Sequence, residues 1–174
     1  TTIGGINMPF AWDIVTGSTS TVIAVLDTGI LPHADIINQL LPGYDFTSNT
    51  FNANDGNGRD ADPLDAGDWL TAEEVAADAC GGGAESGSSW RGTFVAGVAA
   101  ATGNNSTGIT GVNWNTRILP VRVLGKCGGA DSDIIDGMRW AAGLTVSGVP
   151  VNPNPADVIN MSLGSLSECT VAWQ

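Results

Sequence analysis

The sequence has few positive charges and no long hydrophobic run. Lysine and arginine together number 6 among 174 residues, against 18 aspartates and glutamates, so the formal net charge is −12. This balance argues against nucleic acid and against an anionic membrane surface as partners. No apolar stretch approaches the roughly 20 residues that a membrane-spanning helix needs. The first residues show neither the basic segment nor the apolar core of a signal peptide, so an exported protein is expected to be seen here in its processed form.

Cysteine is also scarce, and its number is odd. The three cysteines are Cys80, Cys127 and Cys169, and their spacing matches no zinc motif. Cys80 and Cys127 stand in glycine-rich stretches, which favours loop positions and a disulfide over buried thiols. Because three cysteines cannot all pair with one another, at least one lacks a partner within this chain.

The chain is long enough for one domain with a hydrophobic core, and 43% of its residues are hydrophobic. A continuous, β-branched run at 21–26 (TVIAVL) predicts a buried parallel strand. It leads directly to Asp27, which is therefore expected at the carboxyl end of the strand. In open α/β sheets this is the edge at which functional sites are built.

Helices and strands alternate through the rest of the sequence. The small, uncharged residues of 92–101 predict a buried helix, and the stretch 131–143 predicts an amphipathic helix capped by Asp131 or Ser132. Two more strands are predicted at 118–124 and 157–163. This order predicts an α/β fold in three layers, a parallel sheet with helices on both faces.

Residues 45–85 contain ten acids and one base, Arg59, and predict a long surface excursion with one short helix near 71–79. Carboxylates spaced by two to five residues within 55–65 suit Ca²⁺, which takes six to eight oxygen ligands from a flexible loop. The expected ligands are Asp60, Asp62 and Asp65. The alternative is an acidic loop that is simply solvated.

Four stretches, in this order, resemble the subtilisin superfamily of serine proteases. They are 22–30 (VIAVLDTGI), 89–97 (SWRGTFVAG), 121–125 (VRVLG) followed by two glycines, and 158–164 (VINMSLG). The resemblance covers essentially the whole chain. It implies a subtilisin-like fold in which residues 1–174 form the N-terminal part of a single catalytic domain. Because the sheet and core would then be incomplete, residues 1–174 are not expected to fold alone.

The resemblance implies a secreted serine endopeptidase and assigns roles to individual residues. Asp27 matches the family's catalytic aspartate. The nucleophilic serine and the oxyanion asparagine are expected on a C-terminal part or second chain. Gly128 and Gly129 match the pair that binds the substrate backbone. Ser162, Leu163 and Gly164 match the segment that walls the S1 pocket. Without the resemblance these would be a turn and an ordinary strand.

The variety that the chain most resembles is the secreted, disulfide-containing subtilases of Gram-negative bacteria, through 41–46 (LPGYDF) and 59–63 (RDADP). That resemblance implies a Cys80–Cys127 disulfide. It also implies that Cys169 pairs with a cysteine outside this chain, on the C-terminal part or second chain. Structural calcium becomes more favoured, and 104–106, after the central helix, is a second and weaker candidate site.

The catalytic histidine of the family has no counterpart here. The family motif reads His-Gly-Thr-His, whereas Arg91, Gly92, Thr93 and Phe94 occupy those positions. A guanidinium stays protonated and cannot act as a general base. We expect Arg91 to form a charge-assisted, bidentate pair with Asp27.

Three interpretations of this departure are open: a natural pseudoprotease that binds peptides or proteins through the old groove, an engineered inactive variant, or a misassignment of the two residues that replace histidine. The only histidine, His33, is interpreted as a loop residue hydrogen-bonded to backbone rather than as the base.

Overall fold

The structure, a computed structural model, describes residues 5–164. Its centre is a parallel sheet of four strands in the order β2-β3-β1-β4. The strands are β1 (Val22–Asp27), β2 (Tyr44–Asp45), β3 (Arg117–Arg122) and β4 (Val158–Asn160). Because all four run in the same direction, their carboxyl ends meet at one edge of the sheet.

Two long helices cover opposite faces of this sheet. Alternate residues of β1 point to opposite sides, so Ala24 and Leu26 join the core beneath one helix and Val25 joins the core beneath the other. The predicted three-layer α/β arrangement is therefore confirmed. The helices are α1 (Met8–Trp12), α2 (Thr50–Ala53), α3 (Ala72–Ala76), α4 (Arg91–Ala100) and α5 (Asp131–Ala141), with a 3-10 turn at Ile37–Gln39.

The small residues of α4 allow its first turn to lie directly against the loop that follows β1. A Cβ on Gly92 would lie 2.0 Å from the carbonyl oxygen of Gly29. Only a glycine fits this backbone-to-backbone contact. The contact fixes the start of α4 beside the end of β1.

The acidic segment is tied to the sheet more closely than the sequence suggests. Its first residue, Asp45, belongs to β2 and is fully buried, so the prediction of a surface excursion from residue 45 onward is wrong at its beginning. Arg59 crosses from this segment to α5, where it binds Asp133 and Asp136. The short helix predicted near 71–79 is confirmed as α3, which begins with a capping box.

Some predicted boundaries are wrong. The last strand ends at Asn160 rather than 163, and α5 has Ala130 at its N-cap, with no side-chain capping bond from Asp131 or Ser132. Gly143, with φ of +80°, follows the end of α5 as predicted. Cys169 lies outside the described residues. No helix in the described part of the chain is long and apolar enough to cross a membrane.

Candidate active site

Asp27 and Arg91 meet at the carboxyl edge of the sheet. Asp27 ends β1 and is fully buried, whereas Arg91 is the first residue of α4 and its side chain is 41% exposed. Oδ1 of Asp27 accepts a hydrogen bond from Nε of Arg91 at 2.9 Å and another from the backbone N–H of Thr28 at 2.8 Å. The predicted ion pair is therefore present.

The bidentate geometry expected for this pair is wrong. Only Nε of Arg91 reaches Asp27, and the terminal guanidinium nitrogens form no hydrogen bond within residues 5–164. Oδ2 of Asp27 is buried and likewise has no partner among those residues. A buried carboxylate oxygen without a donor is costly, so the pair leaves an unfilled acceptor in the centre of the site.

A strained turn delivers Arg91 to this position. Trp90 immediately precedes α4 with φ of +52°, in the left-handed region that a tryptophan rarely adopts. The carboxylate of Asp68 accepts hydrogen bonds from both the backbone N–H of Ser89 (2.6 Å) and its hydroxyl (2.7 Å). These two bonds hold the chain before the turn.

Asp65 lies beside the same centre and bonds Thr28, the residue that follows Asp27. Its Oδ2 accepts the hydroxyl proton of Thr28 at 2.6 Å, and its Oδ1 accepts the backbone N–H of Gly67 at 2.9 Å. Burial raises the pKa of Asp65, while these hydrogen bonds oppose the rise. The sequence missed this role because the partner, Thr28, is 37 residues away. The only available signal was that Thr28 follows Asp27 directly.

The residues expected to bind substrate lie near the same edge. Gly125 and Gly128 form a narrow turn, in which Gly128 adopts φ of +82° and its carbonyl accepts a hydrogen bond from the side chain of Asn52. Gly129 follows and is half-buried.

The expected S1 wall follows β4, which pairs with β1. Because β4 runs parallel to β1, this segment lies at the same carboxyl edge of the sheet as Asp27. Ser162 and Gly164 are exposed there, and Leu163 packs against the core.

The Cys80–Cys127 disulfide that the resemblance implied is present. It joins the glycine-rich stretch after α3 to the turn that contains Gly128. Asn52 supports the same turn, since its side-chain oxygen accepts the backbone N–H of Cys127 at 2.6 Å. The turn is therefore held covalently on one side and by hydrogen bonds on the other.

The three aspartates predicted to bind calcium all accept hydrogen bonds from the protein. Both oxygens of Asp65 are engaged as described, and Asp60 and Asp62 accept hydrogen bonds within their own loop from Asp62 N–H, Asn57 and Leu64. Within residues 5–164, no three acidic, histidine or cysteine side chains are grouped as metal ligands.

The loop after α4 has a different arrangement. The buried carboxylate of Asp35 accepts hydrogen bonds from Asn105 (2.7 Å) and from the backbone N–H of Ile109 (2.8 Å). The loop 104–110 lines an open cavity of about 400 Å³. His33 lies nearby, exposed, and its Nδ1 accepts the backbone N–H of Asp35, in agreement with the loop role predicted for it.

Comparison with known proteins agrees with this geometry. The model of the subtilase family, peptidase S8, matches residues 18–173. The extracellular protease of Xanthomonas campestris pv. campestris is 53% identical over 175 residues, covering 100% of this chain and 29% of that protein. The extracellular basic protease of Dichelobacter nodosus is 47% identical over 171 residues, covering 95% of this chain and 28% of that protein.

A solved protease structure from Pseudoalteromonas arctica PAMC 21717 superimposes with a TM-score of 0.91 at 55% identity, covering 98% of this chain and 48% of that one. The superposition and the family match show that the parallel sheet with helices on both faces is a subtilisin-like fold. The chain belongs to the subtilase family. It spans less than a third of the length of the two curated relatives.

Proposed function

We propose that this chain is the N-terminal part of a secreted, subtilisin-type serine endopeptidase. The observation that carries the proposal is the contact between Asp27, at the end of β1, and the residue that begins α4, at 2.9 Å. Acyl transfer by a serine needs a base held by an acid in this relationship. The nucleophilic serine, the oxyanion asparagine and the partner of Cys169 would lie in a C-terminal part or second chain. The names of the extracellular relatives support secretion.

Peptide or protein chains are the proposed substrates. Gly128 and Gly129 lie at a turn held by the disulfide, where a peptide backbone would pair as an added strand. The space beside Gly128 is open, whereas the missing side chain of Gly129 makes room for the carbonyl of Val123. Ser162, Leu163 and Gly164 follow β4 at the carboxyl edge of the sheet and would wall a largely apolar S1 pocket.

A second candidate function is peptide binding without catalysis. The Arg91–Asp27 ion pair favours it, because the carboxylate that would orient a histidine base is bonded to a guanidinium, which stays protonated and cannot act as a base. The orphaned Oδ2 of Asp27 favours the first candidate, because an imidazole N–H at position 91 would supply its missing donor.

Replacing Arg91 separates the two candidates. The natural-length protein is prepared with Arg91→His, with Arg91→His/Phe94→His, and with Arg91→Gln as a control that also removes the charge. An active-site fluorophosphonate and a chromogenic peptide report the nucleophile and turnover. The endopeptidase proposal expects labelling and at least about 10³-fold faster hydrolysis with histidine than with arginine or glutamine. Folded variants that all fail to react would overturn it, and peptide binding by the unmodified protein would then support the second candidate.

Mass spectrometry of the peptide spanning 88–95 from natural material tests the remaining interpretation. An arginine mass at position 91 excludes misassignment of that residue. A histidine mass shows that the natural protein already carries the base.

We also propose that the protein binds structural Ca²⁺, through Asp35 and oxygen atoms of the loop 104–110. Two observations support this position: the carboxylate of Asp35 is buried without an ion-pair partner within residues 5–164, and the loop that it bonds, 104–110, lines an open cavity. Asp60, Asp62 and Asp65, the ligands predicted from the sequence, are the alternative position. Calorimetric titration with CaCl₂, compared with MgCl₂, tests binding. Asp35→Asn should abolish the calcium heat, whereas Asp60→Asn and Asp62→Asn should preserve it. The reverse pattern would place the ion in the acidic loop.

A further inference from the structure

We propose that Asp65 is a positioning residue of the active centre, acting through the hydroxyl of Thr28 on both Asp27 and the first turn of α4. The expected effect on turnover rests on the proposed endopeptidase function, whereas the expected effect on the start of α4 does not. Asp65 makes no hydrogen bond to Asp27 or to residue 91.

The loop that carries Asp65 is fixed to the chain just after β1. The backbone N–H of Asp65 donates to the carbonyl of Ile30 at 3.1 Å, and the N–H of Ile30 donates to the carbonyl of Pro63 at 3.0 Å. The residue is only 3% exposed. Its side chain therefore starts from an anchored backbone, and its two oxygens are committed to Thr28 and Gly67.

The chemistry of the hydroxyl makes the arrangement directional. Thr28 has a single hydroxyl proton, and an ionised carboxylate only accepts, so Thr28 must donate to Asp65. The hydroxyl oxygen then has its lone pairs free to accept the backbone N–H of Gly92, which lies at 3.1 Å. Gly92 is in the first turn of α4, where backbone N–H groups have no partner within the helix.

Thr28 consequently contacts both sides of the Asp27–Arg91 pair. Its backbone N–H donates to Oδ1 of Asp27, and its hydroxyl receives the N–H of the residue that follows Arg91. Asp65 orients that hydroxyl. Without the carboxylate of Asp65 as acceptor, the hydroxyl of Thr28 would be free to rotate. The backbone N–H of Gly92, at the start of α4, would then lose its fixed acceptor.

The burial of Asp65 has no other evident compensation. Among residues 5–164 it forms no ion pair, whereas the buried Asp45 and Asp133 each bind an arginine. Taking a carboxylate out of water is costly unless its oxygens are well bonded. Here those bonds run to the residue beside Asp27 and to the turn leading into Asp68, which in turn holds Ser89.

The test uses the natural-length protein in the Arg91→His background with Asp65→Asn, Thr28→Val and Thr28→Ser. Asp62→Asn is the matched control, because it removes the same charge from an exposed position of the same loop. The structural readout is hydrogen exchange at the Gly92 amide. We expect Asp65→Asn and Thr28→Val to accelerate exchange there at least about tenfold, and Thr28→Ser and Asp62→Asn to change it less than about twofold.

The kinetic readout is the division between kcat and KM. Misplacement of the catalytic pair should lower kcat by about 10- to 100-fold and leave KM within about threefold, with Thr28→Ser close to the parent. If Asp65→Asn and Thr28→Val accelerate exchange at the Gly92 amide but the Arg91→His background shows no turnover, the positioning role is supported. That result would contradict only the endopeptidase proposal. Asp65→Asn with a lowered melting temperature but unchanged Gly92 exchange and kcat would overturn the positioning role. If Asp65→Asn does not fold, the comparison of Thr28→Val with Thr28→Ser decides, and equal Gly92 exchange in those two variants would refute it.

Discussion

The guanidinium of Arg122 and the carboxylate of Asp45 form an ion pair of 2.6 Å between side chains that are 1% and 0% exposed. The two residues are also direct partners in the β2–β3 ladder. Arg122 extends the network to the carboxylate of Asp55 and the carbonyl of Ala53. One buried cation thus fixes the beginning of the acidic segment against the sheet.

Removing this cation should destabilise the protein strongly. Arg122→Met leaves the buried Asp45 carboxylate without its partner, and we expect a loss of about 3–5 kcal/mol in the free energy of unfolding. Arg139→Met, at an exposed position of α5, is the control and should change it by less than about 0.5 kcal/mol. Urea denaturation measures both. Equal midpoints for the two variants would contradict the importance assigned to the pair.

The same network should make stability depend on pH. Burial raises the pKa of Asp45 to about 6, against the opposing charge of Arg122. The folded state therefore binds a proton at Asp45 more tightly than the unfolded chain does. The stabilisation that this protonation gives the folded state is complete below about pH 4 and is lost as the pH rises through 6. Relative to Asp45→Asn, the parent should lose roughly 2–3 kcal/mol between pH 4 and 7. Denaturation curves of both proteins across this range measure how the free energy of unfolding changes with pH. The same change in both proteins would contradict the raised pKa of Asp45.

The start of α4 should not tolerate a side chain at position 92. In Gly92→Ala the added Cβ would meet the carbonyl of Gly29 at 2.0 Å, so the helix must shift away from β1. Gly97→Ala is matched, because it lies buried in the same helix and its Cβ would meet only Ile109, at 3.6 Å. We expect a melting temperature many degrees lower for the first variant and an unchanged or slightly higher one for the second. Differential scanning calorimetry should separate them clearly.

The disulfide should stabilise the turn that contains Gly128. Cys80→Ser/Cys127→Ser opens a loop of 47 residues, and we expect a loss of about 2–4 kcal/mol. Hydrogen exchange should rise in 81–87 and 125–129 and remain unchanged in β1. A stability loss without any local change in exchange would show that the bond does not hold this turn. The reduced parent protein should behave like the double variant.

The sequence predicted those parts of the fold that have a local signal. The apolar run of β1 and the small residues of α4 identify their own structure, and the aspartate at the end of β1 follows from its place in the sequence. β2 was missed because a two-residue strand has no periodicity, and because Asp45 is buried by an arginine 77 residues away.

The same limit explains what was missed in the site. Asp65 was predicted as a metal ligand from its neighbours in sequence, and its hydrogen bond with Thr28 was missed because Thr28 lies 37 residues away. The ion pair of Asp27 with Arg91 followed from the resemblance, which places both residues in one site, together with their opposite charges. Its single hydrogen bond depends on the direction from which the helix delivers the side chain.

The order of strands in the sheet also bears on synthesis. β1 is central, yet its neighbour β3 begins roughly a hundred residues later and its other neighbour β4 later still. At about 10 residues per second, a ribosome needs about 10 seconds to deliver the first partner of β1. During this time an apolar, β-branched segment emerges with both of its edges unpaired. The nascent chain is therefore most exposed to aggregation at the very strand that ends on Asp27.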